Sequence, residues 1–303
     1  MQKITPHLWY DSDAETAART YVDLVAGSAI GSVVRYPEAG REIHGREPGS
    51  VMTVEFRLGD TGLIALNGGP LFQFTHAGSL FVTLEDRAAV DRLWEGLIEG
   101  GRELMPLDRY EWGEHYGWLA DRWGLSWQVC LGSRAAAGRT ITPSLLFGGE
   151  AAGRAQEAID LYASALGARL ESVMRHDGSG RDPAGGVRHA RLTIDGQPLT
   201  IMESVTSEAP FTEAFSLLVN CEDQAEIDRL WSALSAVPEA EACGWLKDRF
   251  GVSWQIAPRA LGEMMTSGDR AGVERLTAAF MKMKKLDLAT LERAFAGAAV
   301  VDS

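Results

Sequence analysis

The sequence predicts an α+β fold: two tandem domains, each of two paired βαβββ modules, followed by a helical C-terminal tail. Two observations carry this prediction. The stretch YGWLADRWGLSWQV begins at Tyr116, and a close copy, CGWLKDRFGVSWQI, begins 127 residues later at Cys243. In each module, one segment with helical spacing also comes before short runs that alternate apolar and polar residues, and this order is typical of strands grouped around a helix. The 303 residues suffice for two domains of roughly 100–200 residues each.

The duplication extends along both halves of the chain. Residues 4–6 (ITP) return as 141–143, and DRLW at 91–94 returns at 228–231, so both pairs are 137 residues apart. The spacing falls to 127 at the closing motif because the first repeat carries about ten extra residues, in LDRYEWGEHY. The predicted organisation is a first domain at 1–131, a linker at 132–140, a second domain at 141–258 and a tail at 259–303.

The first module begins with the predicted strand ITPHLWY. The segment DAETAARTYVDLVAG follows as a helix, because its apolar residues recur at helical spacing and Asp11, Ser12 and Asp13 offer N-caps. Three strand-like runs complete the module: AIGSVVRYP, SVMTVEFRLGD and GLIALNGG. In the middle run, apolar and polar residues alternate as in a half-buried strand.

The second module repeats this order with the strand SLFVTL and the helix DRAAVDRLWEGLIEGG. Its last three strands are RELMPLDRY, YGWLAD and SWQVCL. The second repeat gives the same succession, so we expect four modules and one curved eight-stranded sheet in each domain.

The tail after Pro258 has no counterpart in either repeat. Val273, Leu276, Phe280 and Met283 fall on one face of a predicted helix. A second short helix follows, with Asp287 as its cap and residue 297, a glycine, as its stop. We expect the tail to pack on a domain surface or on a partner subunit.

The closing motif predicts a turn followed by a core strand. Asp121 and Asp248 can bond to the backbone two residues on, and the glycine three positions later suits a left-handed turn residue. In the next strand the alternation places Trp127 and Trp254 in the core and turns Gln128 and Gln255 to the opposite face, where they either line a cleft or are ordinary half-buried amides.

Composition excludes several classes of function. The net charge of −13, without any run of Lys and Arg, argues against nucleic acid and anionic membranes as partners. No segment approaches the roughly 18 apolar residues of a membrane span. The three cysteines form no CxxC pair, and the start of the chain is not a signal peptide, so we expect a cytoplasmic protein without disulfides.

These segments resemble a known family. ITPHLWY, the NGGP element at 67–70, FTEAFSLLVNCED and GWLKDRFGVSWQI are similar to the PhnB-like branch of the vicinal oxygen chelate (glyoxalase/bleomycin resistance) superfamily, and the resemblance covers residues 3–258. Many of its members carry the name demethylubiquinone methyltransferase. The resemblance implies paired βαβββ modules that curl around a cleft.

The resemblance also implies positions for a ligand site, because metal-using relatives take four ligands from corresponding strands. By strand order these positions are His7, Asn67, Ser79 and Gln128 in the first repeat, and Ser144, Glu203, Ser216 and Gln255 in the second. Such sets lack the charge and basicity that hold a divalent transition metal, so no metal and no cofactor is expected. The glycine cluster that comes nearest to an S-adenosylmethionine loop is FGGEAAGRA, and it recurs as YDSDAETAA without glycines, which argues against such a loop.

The function hypotheses therefore centre on a small organic ligand. The first is an apolar or aromatic molecule bound in a cleft near His7, Trp9 and Gln128, with or without metal-independent catalysis. The alternatives are a metal-dependent lyase, isomerase or dioxygenase, a non-catalytic sequestering protein, and a methyltransferase by family name alone. The sequence leaves open whether the chain forms a homodimer.

Overall fold

The computed structural model describes residues 2–133 and 137–297. Residues 134–136 of the predicted linker, the end of the predicted tail at 298–303, and Met1 lie outside this part of the chain. The described residues form four successive modules and a helical tail, in the predicted order.

The first repeat contributes two complete modules. The elements of module 1 are β1 (Ile4–Tyr10), α1 (Ala14–Leu24), β2 (Ala29–Arg35), the short α2 (Arg41–His44), β3 (Val51–Leu58) and β4 (Thr61–Asn67). The elements of module 2 are β5 (Gly78–Leu84), α3 (Arg87–Ile98), β6 (Arg102–Tyr110), β7 (Gly113–Ala120) and β8 (Ser126–Leu131).

The second repeat contributes one complete module and one shortened module. The elements of module 3 are β9 (Ile141–Phe147), α4 (Ala155–Leu166), β10 (Arg169–Arg175), β11 (Val187–Ile194) and β12 (Gln197–Glu203). The elements of module 4 are β13 (Phe215–Cys221), α5 (Gln224–Leu234), β14 (Trp245–Lys247) and β15 (Ser253–Pro258). A single 3₁₀ turn (Pro238–Ala240) stands where module 2 has β6, so the extra residues of the first repeat build the longer β6–β7 hairpin.

The strands form two mixed sheets, and each sheet combines one module of each repeat. The seven-stranded sheet has the order β14-β15-β13-β1-β4-β3-β2, and the eight-stranded sheet has the order β10-β11-β12-β9-β5-β8-β7-β6. The α+β class and the duplicated βαβββ architecture are confirmed. The composition of the sheets is corrected: modules 1 and 4 share one sheet, modules 2 and 3 share the other, and module 4 supplies only three strands.

The repeats meet at the first strands of their modules. β1 pairs antiparallel with β13, from Ile4 opposite Val219 to Leu8 opposite Phe215, and β5 pairs with β9 in the same manner. The last strand of each module occupies one side of the first strand, which leaves the backbone groups on the other side to find a partner. Since all four first strands offer the same open side, the repeat pattern alone could not tell which two would pair.

A buried aspartate ties together the two modules of one repeat. Asp121 Oδ2 accepts hydrogen bonds from Tyr21 Oη of α1 at 2.6 Å and from Trp127 Nε1 of β8 at 2.9 Å. Its Oδ1 accepts the backbone N–H groups of Trp123 and Leu125 in the predicted turn. Tyr21 is on α1, which packs on the seven-stranded sheet, and Asp121 lies in the turn between β7 and β8 of the eight-stranded sheet, so this carboxylate joins the two sheets through the helix layer.

The second repeat reproduces this arrangement bond for bond. Asp248 accepts from four equivalent donors: Tyr162 Oη, Trp254 Nε1 and the backbone N–H groups of Phe250 and Val252. Trp127 and Trp254 are completely buried, which confirms their predicted place in the core. Burial raises the pKa of Asp121 and of Asp248 above the usual value of 3.8, while the four donors act against this rise.

The helices of the four modules all cover the same face of their sheet, opposite the face that carries the candidate site. The hydroxyl groups of Tyr10 and Tyr21 are 3.1 Å apart, so Tyr10 of β1 faces the helices. Because side chains alternate along a strand, Thr5, His7 and Trp9 point to the opposite face. This face carries the candidate site.

The tail packs on its own chain. It contains α6 (Arg259–Met265), α7 (Arg270–Phe280) and α8 (Leu288–Ala296), which surround a small cluster of Leu276, Leu286 and Leu291 apart from the main core. Asp287 caps α8 by accepting the N–H of Thr290, and Gly297 ends it in a left-handed conformation, as predicted. Met283 lies beyond the end of α7, although it packs against the same cluster.

Replacing Asp121 by Ala should destabilise the protein by about 3 kcal/mol or more, because several buried donors lose their acceptor at once. Chemical denaturation measures the change in the free energy of unfolding. Asp23→Ala, at an exposed position on the helix that carries Tyr21, is the matched control and should change stability by less than about 0.5 kcal/mol. Equal effects of the two substitutions would contradict the bridging role of Asp121.

Cutting the linker should leave two fragments that still fold together, because each sheet contains strands of both repeats. With a protease site placed at residues 134–136, the denaturation midpoint of the cut protein should rise with protein concentration, as mass action requires. The uncut protein should show no such dependence. Two independent transitions after cutting, with midpoints that do not change with protein concentration, would refute the sharing of each sheet between the two repeats.

Candidate functional site

In each sheet, the face opposite the module helices lines a cleft. We call these faces the seven-stranded wall and the eight-stranded wall. His7 on β1 contacts Trp245 on β14, three strands away, with 5.6 Å between ring centroids. Phe81 on β5 likewise reaches His189 on β11 at 6.5 Å. In a flat sheet such strands would lie about 14 Å apart. Both walls are therefore concave.

A row of paired residues crosses the middle of each wall. In the seven-stranded wall the row is Glu55, Ile64, His7, Ser216, Ser253 and Lys247. In the eight-stranded wall it is Arg191, Thr200, Ser144, Ser79, Ser126 and Ala120. The serines of β13 and β15 match those of β5 and β8, but His7 stands where the duplicate has Ser144. The two clefts therefore have related shapes and different chemistry.

His7 lies at the centre of the seven-stranded wall. Its side chain is buried, with only 6% of the residue exposed, and its Nδ1 has no hydrogen-bond partner among the described residues. Burial lowers the pKa of His7 from 6.5 to about 3, because the charged imidazolium would lose its hydration. The ring is therefore neutral at physiological pH.

One tryptophan packs against this imidazole, and a second packs against the first. Trp245 meets the His7 ring edge to face, and the Trp9 ring lies 5.9 Å from that of Trp245. Trp9 is held in turn by the NGGP element: its Nε1 donates to the carbonyl oxygen of Gly69 at 2.7 Å. A Cβ at residue 68 would come within 2.2 Å of the Trp9 ring, so glycine is required there.

A short polar chain lies beside His7. Gln255 Nε2 donates to Ser216 Oγ at 3.0 Å, and Ser216 is paired with His7 across the strands. Ser253, the next residue of the row, is buried, and its Oγ has no partner in the described part of the protein. The seven-stranded wall thus carries two unpaired buried polar atoms, one on His7 and one on Ser253.

The eight-stranded wall is more fully satisfied. Gln128 Nε2 donates to Ser79 Oγ at 2.9 Å, and the Tyr116 hydroxyl donates to Gln128 Oε1 at 2.8 Å. Burial raises the pKa of Tyr116 far above its ordinary value, so its hydroxyl stays protonated as the donor. Ser144, completely buried, is the residue of this row whose Oγ finds no partner within the described ranges.

Trp118 and Trp245 occupy duplicate positions but have different contacts. Trp118 Nε1 donates to Ser126 Oγ at 2.7 Å. Trp245 instead packs on His7 and leaves the duplicate acceptor, Ser253 Oγ, unused. Lys247, which forms a 3.0 Å ion pair with Glu213, stands where the other wall has Ala120.

The structure regroups the predicted site residues. His7, Trp9, Ser216 and Gln255 share the seven-stranded wall, whereas Ser79, Gln128 and Ser144 share the eight-stranded wall. The expected combination of His7 with Gln128 in one cleft is therefore wrong. Its cause is the exchange of modules between the sheets, which brings the first strand of one repeat beside the last strands of the other.

Asn67 and Glu203 do not point into either cleft. Asn67 Oδ1 accepts the N–H of Ala14 at the start of α1, and Glu203 Oε2 accepts the N–H of Ala155 at the start of α4. Asn67 pairs with Tyr10, which faces the helices. These two residues cap helices from the neighbouring strand, a role that the sequence suggested for residues 11–13, where Asp13 makes no side-chain cap.

The donors do not suit a divalent metal. The seven-stranded wall offers one neutral imidazole, the carboxylate of Glu55, two serines and one amide, and the eight-stranded wall offers serines, one amide and the imidazole of His189. Transition-metal sites need several imidazole, thiolate or carboxylate ligands. Across residues 2–133 and 137–297, no group of three His, Cys, Asp or Glu is arranged to hold an ion.

Trp245 is the site residue that sequence reasoning missed. Its place in CGWLKDRFGVSWQI was visible, and the 127-residue spacing makes it the duplicate of Trp118. The strand alternation alone would have set both tryptophans opposite the buried Leu119 and Leu246. Its contact with His7 depends on the pairing of β1 with β13, which no local pattern encodes.

Comparison with known proteins identifies the family. The family described as 3-demethylubiquinone-9 3-methyltransferase matches the chain twice, over residues 2–130 and 139–257. The chain belongs to this family. A search of curated proteins finds no match.

Two solved structures are similar to this chain. A PhnB protein of Bacillus cereus that carries the same methyltransferase name is 35% identical over 43% of this chain and 100% of its own, with a TM-score of 0.40. A single-residue mutant of glyoxalase I from Zea mays is 10% identical over 85% of this chain and 94% of its own, with a TM-score of 0.55. The second likeness, at 10% identity, shows a shared fold alone.

In the described part of the chain, every helix is too short or too polar to cross a lipid bilayer.

The pKa of His7 should make stability depend on pH. The unfolded chain binds a proton at His7 below about pH 6.5, whereas the folded protein binds it only near pH 3, so stability decreases as the pH falls through this window. Between pH 6 and pH 4, the wild type should lose about 1.4 kcal/mol per pH unit more than His7→Asn does. Urea denaturation at a series of pH values measures both slopes, and parallel slopes would refute the neutral buried state of His7.

Proposed function

We propose that the seven-stranded wall binds a small aromatic molecule that carries a hydroxyl group. The aromatic part would lie against Trp9 and Trp245, and the hydroxyl would form a hydrogen bond with His7 Nδ1. The observation that carries this proposal is the unpaired Nδ1 of a buried, neutral imidazole that packs against Trp245, which in turn contacts Trp9.

The unpaired nitrogen favours a polar ligand group. Leaving a buried polar atom without a partner costs about 1–3 kcal/mol, and such atoms are rare in folded proteins. Nδ1 accepts a hydrogen bond in one tautomer of neutral imidazole and donates in the other. A hydroxyl can do both, so it suits this nitrogen in either tautomer.

The surrounding rings favour an aromatic ligand body. Trp9 and Trp245 are both half-buried, and Phe72 supports Trp9 with 5.0 Å between ring centroids. Aromatic pairs in edge or offset geometry contribute about 0.5–1.5 kcal/mol beyond the burial of their surface. A flat ring system can use both indoles at once.

Trp245 would move to admit the ligand, because its ring covers His7. The duplicate wall supplies the alternative position: Trp118 donates to Ser126, and the corresponding acceptor, Ser253 Oγ, is buried and unused. An indole turned toward Ser253 would lie against the stem of Lys247 and uncover Nδ1. This movement would satisfy both unpaired atoms of the wall.

The same features favour binding over proton transfer. A base whose pKa lies near 3 takes up a proton poorly at neutral pH, so His7 suits hydrogen bonding better than general-base catalysis. A carrier or sequestering protein needs only the binding step. Turnover of the bound compound would make the protein an enzyme that acts without His7 as its base.

The methyltransferase name of the family has no matching loop in this chain. A Cβ added at Gly148 would lie 2.5 Å from the carbonyl oxygen of Ser207. The N–H of Ala155 at the start of α4 already donates to Glu203. Gly148 therefore serves close packing against Ser207. Calorimetric titration with S-adenosylmethionine tests methyl transfer directly, and heat of binding would favour it over simple ligand binding.

The proposal predicts that 2-naphthol binds and that His7 contributes through a hydrogen bond. Equilibrium dialysis should show roughly tenfold weaker binding of 2-naphthol to His7→Leu, whereas naphthalene, which has no hydroxyl, should bind both proteins alike. Ser144→Ala, the duplicate position in the other wall, is the matched control and should leave binding unchanged. Failure of 2-naphthol to bind, or equal binding to His7→Leu, would refute the proposal.

A further inference from the structure

The two clefts are closed by different parts of the chain. On the eight-stranded wall, the β6–β7 hairpin reaches from one edge of the sheet to β11, the second strand from the other edge: Trp112 at its tip lies under the guanidinium of Arg188 on β11, at 5.1 Å. Tyr110 stacks on Trp112 with 5.1 Å between ring centroids and steadies the tip. This hairpin contains the extra residues of the first repeat.

The seven-stranded wall lacks such a hairpin, because module 4 has only a 3₁₀ turn and the short β14 at the corresponding edge. Its open side lies between β14 at one edge and the β2–β3 connection at the other. The C-terminal tail fills this gap. Residues 270–285, which we call the strap, contact both edges.

At the β2–β3 edge, the strap is held by the hydrogen bonds of one carboxylate and by the packing of two side chains against a glycine. Glu274 on α7 accepts the backbone N–H groups of Glu38 and Ala39, at 3.1 and 2.7 Å. Gly40 packs so closely that an added Cβ would lie 3.2 Å from Met281, and it also faces Thr277.

At the β14 edge, the strap is held through its backbone. The N–H of Cys243 donates to the carbonyl oxygen of Met283 at 2.7 Å, and the N–H of Gly244 donates to that of Lys284 at 2.8 Å. Cys243 adopts a left-handed conformation with φ of 52°, which is unfavourable for a side chain with a Cβ. Ala257, on the cleft side of β15, packs against the same tail cluster.

We infer that the strap is a movable cover of the His7 cleft and does for the seven-stranded wall what the β6–β7 hairpin does for the other. This inference rests on the proposed ligand site, because it describes how a ligand reaches His7. The strap lies beyond the residues that match the family, which end at 257. It therefore lies outside both matched segments, and it is placed over one cleft only.

The anchoring indicates which end of the strap opens. The strap packs around a small cluster of three buried leucines, separate from the main core, and its contact with the β2–β3 edge depends on the partly exposed Glu274. Segments with few buried contacts open locally at low free energy. The β2–β3 edge should therefore release first, while the backbone bonds at Cys243 and Gly244 hold the other end.

Chemical labelling of the intact protein tests the inference without a ligand. Diethyl pyrocarbonate modifies accessible imidazoles, and peptide-resolved mass spectrometry follows His7 and His189 separately. Glu274→Ala should raise the labelling rate of His7 several-fold and leave that of His189, on the eight-stranded wall, unchanged. Glu292→Ala, an exposed acid on α8, is the matched control and should change neither rate.

Leu276→Ala provides a second way to loosen the strap, because it removes part of its buried cluster. Unchanged His7 labelling in both Glu274→Ala and Leu276→Ala would overturn the inference, as would equal increases at His7 and His189. The result is independent of 2-naphthol: if that probe fails to bind while His7 labelling responds as expected, the cover stands and the proposed ligand class falls.

Discussion

Two buried carboxylates hold this architecture together. Asp121 and Asp248 each gather four donors, and the tyrosine among those donors comes from a helix whose module lies in the other sheet. Each repeat is thus divided between two sheets by its strands and reunited by one side chain. Burial makes the charge of these aspartates costly, and the converging donors offset that cost. The repeated GWL-DR-G-SWQ motif therefore has a structural role, because its aspartate connects the two sheets.

Small differences between the repeats give the two clefts different chemistry. His7 replaces Ser144 at the same point of the row, and Cys243 replaces Tyr116, so one wall has a neutral imidazole under a tryptophan and the other a closed chain of hydroxyls and amides. The capping role, by contrast, is kept: Asn67 and Glu203 use different side-chain chemistry to hold the first N–H of α1 and α4. The two repeats therefore share one scaffold and differ in the residues that line the two walls.

The sequence was informative wherever the signal is local. Alternation, capping and turn chemistry predicted the modules, the buried Trp127 and Trp254, and the aspartate turns, because each depends on neighbours within a few residues. The grouping of the site residues required long-range pairing of like strands, and several pairings satisfy the same pattern. Asn67 shows the finer limit: a shift of one residue along a strand reverses the face, so an assignment by strand order alone placed a helix cap in the cleft.

The pairing of β1 with β13 has a consequence for synthesis of the chain. His7 and Ser216 are neighbours although 209 positions separate them, so β1 leaves the ribosome long before the strand that covers its edge. An uncovered strand edge invites association with other chains, and such distant contacts form slowly. The first strand therefore stays open to association with other chains until the second repeat has been synthesised.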